Sequence, residues 1–221
     1  ACFTLIFVYI VRPMRKKFQP WSVTSVRPVG LKIWEVSLMP KGHAGLKYKA
    51  GQFAWLNLGH SPFSLHEHPF SISSAPASGP GLQFVIKELG DFTGTVGTIE
   101  PGTTAYVDGP HGNLVIEGRT EPGGVGVTPL LGILRQLHAN KDQRPSVLIY
   151  GNRCKEQIVY SEELQTLSAE HGTEIVHVVS EPEEGWEGKT GMVSAELIAE
   201  EFSDEQRQNW LYVLCGPAPM M

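Results

Sequence analysis

The sequence predicts a small antiparallel β-barrel joined to an α/β domain with a doubly wound parallel sheet, preceded by the end of a transmembrane helix. Three observations carry that expectation. From Trp21 to about Gly118, short runs rich in Val, Ile, Trp and Phe are separated by Gly and Pro turns, the pattern of short strands that close on themselves. After Gly123 the period changes: a glycine loop leads into an amphipathic run, and strands then alternate with helices, which gives a parallel sheet. Ahead of both, residues 3–11 (FTLIFVYIV) are continuously apolar and end in Arg12-Pro13-Met14-Arg15-Lys16-Lys17.

The N-terminal run is too short to cross a bilayer, which takes about 20 residues. A signal peptide places its basic residues before its apolar core, and here the order is reversed. The segment reads as the last turns of a membrane helix whose beginning is absent, with its basic cluster cytoplasmic by the positive-inside rule. A buried N-terminal strand followed by a solvated basic turn is the alternative. Composition bounds the rest. With 41% hydrophobic and 19% charged residues, the 221-residue chain is folded and long enough for two small domains. A net charge of −5 argues against a broad nucleic-acid surface. Cys2, Cys154 and Cys215 lie far apart without a CxxC pair. They support neither a zinc site nor a disulfide framework, exclude an iron–sulfur cluster within the chain, and fit a reducing compartment. Neither a serine nucleophile elbow nor an HExxH motif is present, so a hydrolase has no support.

In the first half, residues 21–28 and 31–39 are strands on either side of Gly30, and residues 41–45 are a loop. Residues 52–58, 82–87 and 104–108 supply three more strands, the last after the Pro101-Gly102 turn. Between them, His68-Pro69-Phe70-Ser71-Ile72-Ser73-Ser74-Ala75-Pro76 brackets a strand over 70–74 with two prolines, since proline cannot donate to a ladder. Phe70 and Ile72 face one way, Ser71 and Ser73 the other. Hydroxyls beside backbone amides suit a flat heteroaromatic ligand; an ordinary barrel strand is the alternative. Gly90-Asp91-Phe92-Thr93-Gly94-Thr95 then sets glycines and hydroxyls ahead of a short helical turn, a cradle for a pyrophosphate. Lys87 either neutralises a phosphate there or is a solvated strand-end lysine. His60, His66 and His68 share no helical face and have no Cys neighbour, so no metal is expected.

In the second half, Gly123-Gly124-Val125-Gly126-Val127-Thr128-Pro129 runs into an amphipathic helix with apolar positions 130, 131, 133, 134 and 137. Such a loop offers free amides and a positive dipole end to an anion. It should follow a buried strand, yet residues 117–122 (EGRTEP) are not strand-like. Either that first strand is missing from the chain, which we expect, or this variant is irregular there; the domain boundary is expected at 118–121. Residues 146–150 (SVLIY) are a parallel strand ending at Asn152-Arg153, 156–169 a helix, 173–180 a third strand and 211–214 (LYVL) a fourth, ending at Cys215-Gly216-Pro217. Ligands of such sheets bind at the strands' carboxyl ends. The final CGPAPMM resembles a loop entering a helix that is absent.

These motifs carry a resemblance. HPFSISSAP is similar to the FAD-binding signature of the ferric reductase and NADPH oxidase family, within the ferredoxin-NADP reductase superfamily. Ala50-Gly51-Gln52-Phe53, the turn Asp108-Gly109-Pro110-His111-Gly112, GGVGVTP and Cys215-Gly216-Pro217 follow in that superfamily's order. The resemblance implies three regions: the membrane-helix end and basic segment (1–17), an FAD-binding barrel (18–118) and a C-terminally incomplete NAD(P)H-binding domain (119–221). It implies that His68, Pro69, Phe70, Ser71, Ile72 and Ser73 hold the flavin, Ser71 near N5. It places the pyrophosphate at Phe92, Thr93, Gly94 and Thr95, with Thr95 and its amide as contacts, and Lys87 close by. NADPH, with NADH as the alternative, would lie on Gly124, Gly126, Thr128, Pro129, Asn152, Arg153, Gly216 and Pro217. Arg153 would meet the adenosine 2′-phosphate and Cys215 would flank the nicotinamide. The implied activity is hydride transfer from NADPH to FAD, then single electrons to a haem in the membrane part and on to ferric iron or oxygen. A soluble reductase serving an iron–sulfur partner and a flavin-free scaffold domain are the other hypotheses.

Overall fold

The computed structural model describes residues 2–115, 127–202 and 208–215. The chain starts as a helix built of α1 (Cys2–Ile6), a π-helical stretch (Phe7–Val11) and α2 (Arg12–Phe18). The π stretch has a local cause. Pro13 has no amide to donate, and just before it the Arg12 amide reaches back to Phe7 O, one residue further than in an α-helix. No helix among the described residues is long and apolar enough to cross a membrane.

Six antiparallel strands follow: β1 (Trp21–Gly30), β2 (Ile33–Pro40), β3 (Phe53–Leu58), β4 (His68–Ser71), β5 (Leu82–Lys87) and β6 (Thr104–His111). Their order is β4-β3-β6-β1-β2-β5. The two outer strands meet just past β4, where Ile72 bridges Phe84 and the Ser73 amide donates to Gln83 O at 2.8 Å, which closes the sheet into a barrel. Alternation fills it: Val23, Val36, Leu38, Ala54, Leu56, Phe84 and Ile86 are all buried. A short helix, α3 (Asp91–Thr95), leaves β5. The strand expected over 70–74 is displaced toward its first proline. β4 starts at His68 and includes Pro69, which sits opposite Trp55. From His68 to Ser71 the strand is paired only with β3, so its other side needs no donor and tolerates proline.

The second sheet is parallel, with order β7 (Ser146–Asn152), β8 (Thr173–Val179) and β9 (Lys189–Thr190). Successive residues of β7 enter two cores. Leu148 and Tyr150 pack with α4 (Val127–Ala139) and α5 (Ser161–His171), while Val147 and Ile149 pack with Leu197 of α6 (Ala195–Glu201). The sheet is therefore covered on both faces.

Two expectations are corrected here. The helix expected over 156–169 begins only at Ser161: Lys155–Gln157 form a 3₁₀ turn and Tyr160 adopts a left-handed φ of 58°. Val159 is drawn out of the helix because it is buried in the core that joins the two halves, against Gly30. The strand expected over 211–214 is reduced to a single bridge at residue 211, although Val213 is buried in the same core. The missing first strand near 117–122 and the boundary at 118–121 lie outside the described residues.

The halves share that core. Ile33 and Ala50 from the barrel side pack with Leu130, Leu131, Ile133 and Leu134 of α4. Beside Ala50, Gly51 has φ +95°, and a Cβ there would fall 1.9 Å from Leu114 O. Gly51→Ala should therefore cost about 1–3 kcal/mol of stability, from strain at positive φ and a backbone clash. An unchanged urea midpoint would show that the Leu114 backbone yields freely.

Candidate functional site

The stretch from His68 to Pro76 is held from several directions. Ile72 N donates to Gln52 O (3.0 Å), and Tyr48 OH donates to Ser74 O (3.1 Å) and meets Ser74 Oγ at 2.8 Å. Behind it stands α4. A Cβ on Gly132 would lie 2.8 Å from Ile72 O, so glycine is what lets the helix approach this backbone. Ser73 Oγ is buried and meets no hydrogen-bond partner among the described residues.

His68, Phe70 and Phe92 form an aromatic array. The rings of His68 and Phe92 stack at 4.1 Å and 16°, and Phe70 lies 6.2 Å from Phe92. The structure thus brings the expected flavin strand together with the expected pyrophosphate loop through Phe92. Three half-buried rings stacked on one another form a surface that a planar heteroaromatic group can join. The residues present fit FAD. The threonines of the loop are engaged otherwise than expected. Thr93 Oγ1 accepts from the amides of Leu89 (2.8 Å) and Gly90 (2.9 Å), and the Thr95 hydroxyl donates to Phe92 O (2.8 Å). Lys87 Nζ donates to Gln157 across the domain junction at 3.2 Å. His111 turns away from the aromatic array, to Asp108 Oδ2 (3.2 Å) and the Phe53 ring.

Of the expected nucleotide residues, Pro129 is buried at the first turn of α4, and Asn152 and Arg153 lie at the carboxyl end of β7. Arg153 Nε is paired with Glu181 Oε2 at 2.9 Å, both side chains well exposed. Val213, two residues before Cys215, packs with Leu130 and Leu131, which brings that end of the chain to the start of α4. Burial raises the pKa of the half-buried Cys215 thiol, so it stays protonated at neutral pH. Gly124, Gly126, Gly216 and Pro217 lie outside the described residues, as does the side chain of Thr128.

Composition and spacing did not single out the charged chain that connects these parts. Arg135 of α4 donates to Ser73 O (2.8 Å), forms a two-pronged pair with Glu163 of α5 (2.6 and 2.8 Å), and lies 5.0 Å over the Tyr160 ring. Tyr160 OH donates to Glu35 Oε2 at 2.6 Å, and Arg27 Nε donates to Glu35 Oε1 at 2.6 Å. Glu35 on β2 is only 1% exposed. Burial pushes its carboxyl pKa up, but the hydrogen bonds from Arg27 and Tyr160 outweigh it and hold the group below its ordinary 4.5. Burial first, and then the Glu35 carboxylate, push Tyr160 far above its ordinary 10.0. One signal was present in the sequence: Glu35 interrupts the otherwise apolar alternation of IWEVSL. Nothing there pointed to its partner, which lies 125 residues away.

Comparison with known proteins agrees with this geometry. Residues 20–114 match the model of an FAD-binding domain, and residues 122–221 that of an oxidoreductase NAD-binding domain. NADH-cytochrome b5 reductase 1 of Pyricularia oryzae is 32% identical over 165 residues, 67% of this chain and 53% of that protein. The chain spans about half the length of several curated relatives it matches. The flavohaem-like FAD/NAD-binding domain of nitric oxide dioxygenase from Vibrio cholerae superposes with a TM-score of 0.79, covering 91% of this chain and 88% of that one at 18% identity. A ferredoxin NADP+ reductase from Neisseria gonorrhoeae, solved with bound FAD and NADP, gives 0.73 over 91% and 86% at 20% identity. At those identities the structures speak for the fold alone.

The Glu35 chain makes stability depend on pH in a defined direction. Because folding lowers the Glu35 pKa, its contribution is complete above the ordinary 4.5 and is lost as pH falls through the lower folded value. Glu35→Gln should lose about 2–4 kcal/mol at neutral pH, since Arg27 and Tyr160 keep a weaker partner. Its stability should then fall less than that of the wild type on acidification below pH 4.5. Parallel acid titration curves for the two proteins would show that Glu35 is not the titrating group.

Proposed function

The chain belongs to the ferredoxin-NADP reductase superfamily, and on that premise we propose that it is a flavin-dependent NAD(P)H reductase held at a membrane. The observation that carries the reductase reading is convergence. The strand that carries His68 and Phe70 of the aromatic array continues into the backbone of 72–74, which lies against α4, the helix that begins the nucleotide side. Bound FAD would supply the conversion between a two-electron hydride donor and a one-electron acceptor. The protein's part is to place the reacting groups. His68, Phe70 and Phe92 would offer the stacking surface, and Ser71, half-buried at the end of β4, would hydrogen-bond the flavin ring near the atom that takes the hydride. Cys215, kept neutral by burial, would flank the nicotinamide and hold it in place without acting as a nucleophile.

The membrane reading rests on the N-terminal helix, where residues 5–11 are apolar and exposed and a basic cluster follows. In this reading the domains lie on the cytoplasmic side and the electrons pass to a haem in a membrane part of the same protein. A relative named for cytochrome b5 supports a one-electron protein acceptor. Absence of a reducible b-type haem from spectra of the full-length protein would overturn this part.

For the nicotinamide partner we propose NADPH, with Arg153 on the 2′-phosphate. Glu181 already occupies that guanidinium, so a phosphate has to compete with a carboxylate. Arg153→Ala should raise KM for NADPH by roughly tenfold or more, the scale of one charge-assisted bond, and leave NADH nearly unchanged. Glu181→Gln should favour NADPH. Equal changes for both nucleotides would assign the pair to structure alone.

Hydride transfer itself is tested at Ser71 and Cys215. A displacement of reacting atoms by an ångström costs about a hundredfold in rate. Cys215→Ala should slow anaerobic stopped-flow reduction of the flavin toward that scale while binding of the nucleotide is retained. Ser71→Ala should slow the same step and also weaken FAD. A wild-type reduction rate in Cys215→Ala would remove Cys215 from the nicotinamide site.

A further inference from the structure

Apolar exposure in this protein is not confined to the N-terminal helix. Residues 5–11 are exposed on all sides, whereas a helix resting on its own protein buries one apolar stripe and turns a polar face outward. A cavity of ≈ 650 Å³ beside it is lined by Phe7, Val8 and Tyr9, and also by Phe63 and Leu65 from the loop between β3 and β4. Phe63 is 49% exposed and Leu65 79%. Two bulky exposed apolar side chains at one loop thus border the same cavity as the apolar helix, and clustered apolar exposure of this kind is seldom carried by soluble surfaces.

The loop presents this tip in a fixed shape. Asn57 Nδ2 donates to Ser61 O (3.0 Å), Ser64 N to Ser61 O (2.9 Å), His66 N to Ser64 Oγ (3.1 Å) and Glu67 N to Leu65 O (2.9 Å). Its far end is clamped to the helix. Arg12 Nη2 donates to Glu67 Oε2 at 2.7 Å, buried Lys16 pairs with the other Glu67 oxygen, and Arg12 Nε reaches Asp108 Oδ2 at 2.8 Å. The helix is thus pinned to the base of the loop, and Glu67 directly precedes His68 of the proposed flavin strand.

Charge indicates what covers the patch. The first 18 residues contain Arg12, Arg15, Lys16 and Lys17 and no acid, on a chain of net charge −5. With Arg12 and Lys16 held by Glu67, Arg15 and Lys17 remain exposed beside the apolar surface. Apolar and aromatic side chains flanked by lysine and arginine match the interface of an anionic bilayer.

We propose that the loop over 59–66 is a second membrane-contacting element, inserting Phe63 and Leu65 into the interfacial layer of an anionic bilayer beside the N-terminal helix. The Glu67 clamp then sets the height of the flavin strand above the lipid. This rests on the membrane attachment proposed above, and the test separates the two. The whole chain is sedimented with phosphatidylcholine vesicles with and without phosphatidylserine. Wild-type protein should pellet with the anionic vesicles. The Phe63→Ser, Leu65→Ser double variant should bind them roughly tenfold more weakly, with melting temperature and NAD(P)H-dependent dye reduction unchanged. A Phe7→Ser, Ile10→Ser variant reports on the helix. If the helix variant loses vesicle binding and the loop variant keeps it, the loop proposal falls and membrane attachment stands. If wild-type protein pellets with neither vesicle, both fall. If Phe63 and Leu65 govern self-association in light scattering instead of vesicle binding, a second copy covers the patch and the proposal is overturned.

Discussion

The arrangement of the two halves depends on Arg135. A guanidinium carries five donors in a rigid plane, and this one uses them toward Glu163 on α5, toward the Ser73 carbonyl just past β4 and toward Gln83 Oε1 on β5. Its face lies over Tyr160, whose hydroxyl ends on the buried carboxylate of Glu35. Each member would be costly to bury alone, and each is satisfied by the next. Charge-assisted bonds are directional, so the chain specifies an angle between barrel and α/β unit that apolar contact alone would leave loose.

The apolar junction does complementary work. Ile33 and Ala50 bury against α4, and Val159 leaves the start of its helix to join them. That packing supplies most of the attraction, because hydrophobic burial scales with area and is indifferent to orientation. Gly132 then sets how closely α4 can approach the backbone of 72–74. Attraction, orientation and distance thus come from three different physical sources, and all three converge on the stretch from His68 to Pro76.

The N-terminal helix has an equivalent anchor on the opposite side of that stretch. Glu67, one residue ahead of β4, accepts from Arg12 and Lys16, so the stretch from His68 to Pro76 is gripped at one end by the helix and at the other by α4. An ion pair between exposed groups contributes little. Here Lys16 is 5% exposed and the Glu67 side chain 10%, so breaking the pair would strand a buried charge.

Much of this was legible in the amino-acid order. Short strands punctuated by Gly and Pro, then amphipathic helices alternating with apolar runs, determined a barrel and a parallel sheet, because periodicity is a local property of the chain. Through motif resemblance the sequence also singled out the stretch 68–76 and Phe92, which the fold brings into one aromatic array. The start of the helix at Ser161, the loss of a ladder at 211–214 and the placement of Pro69 inside β4 were not legible. Each is decided by what another part of the fold offers as a partner. The same holds for Arg27, Glu35, Tyr160 and Arg135. Local sequence marks a charged residue in an apolar strand as unusual, but its partners are named only when the chain brings residues 125 positions apart within hydrogen-bonding distance. Sequence alone determined the elements and the cofactor class they resemble. Tertiary structure decided which buried charges meet and how the two halves face each other, because those energies exist only between residues that folding has made neighbours.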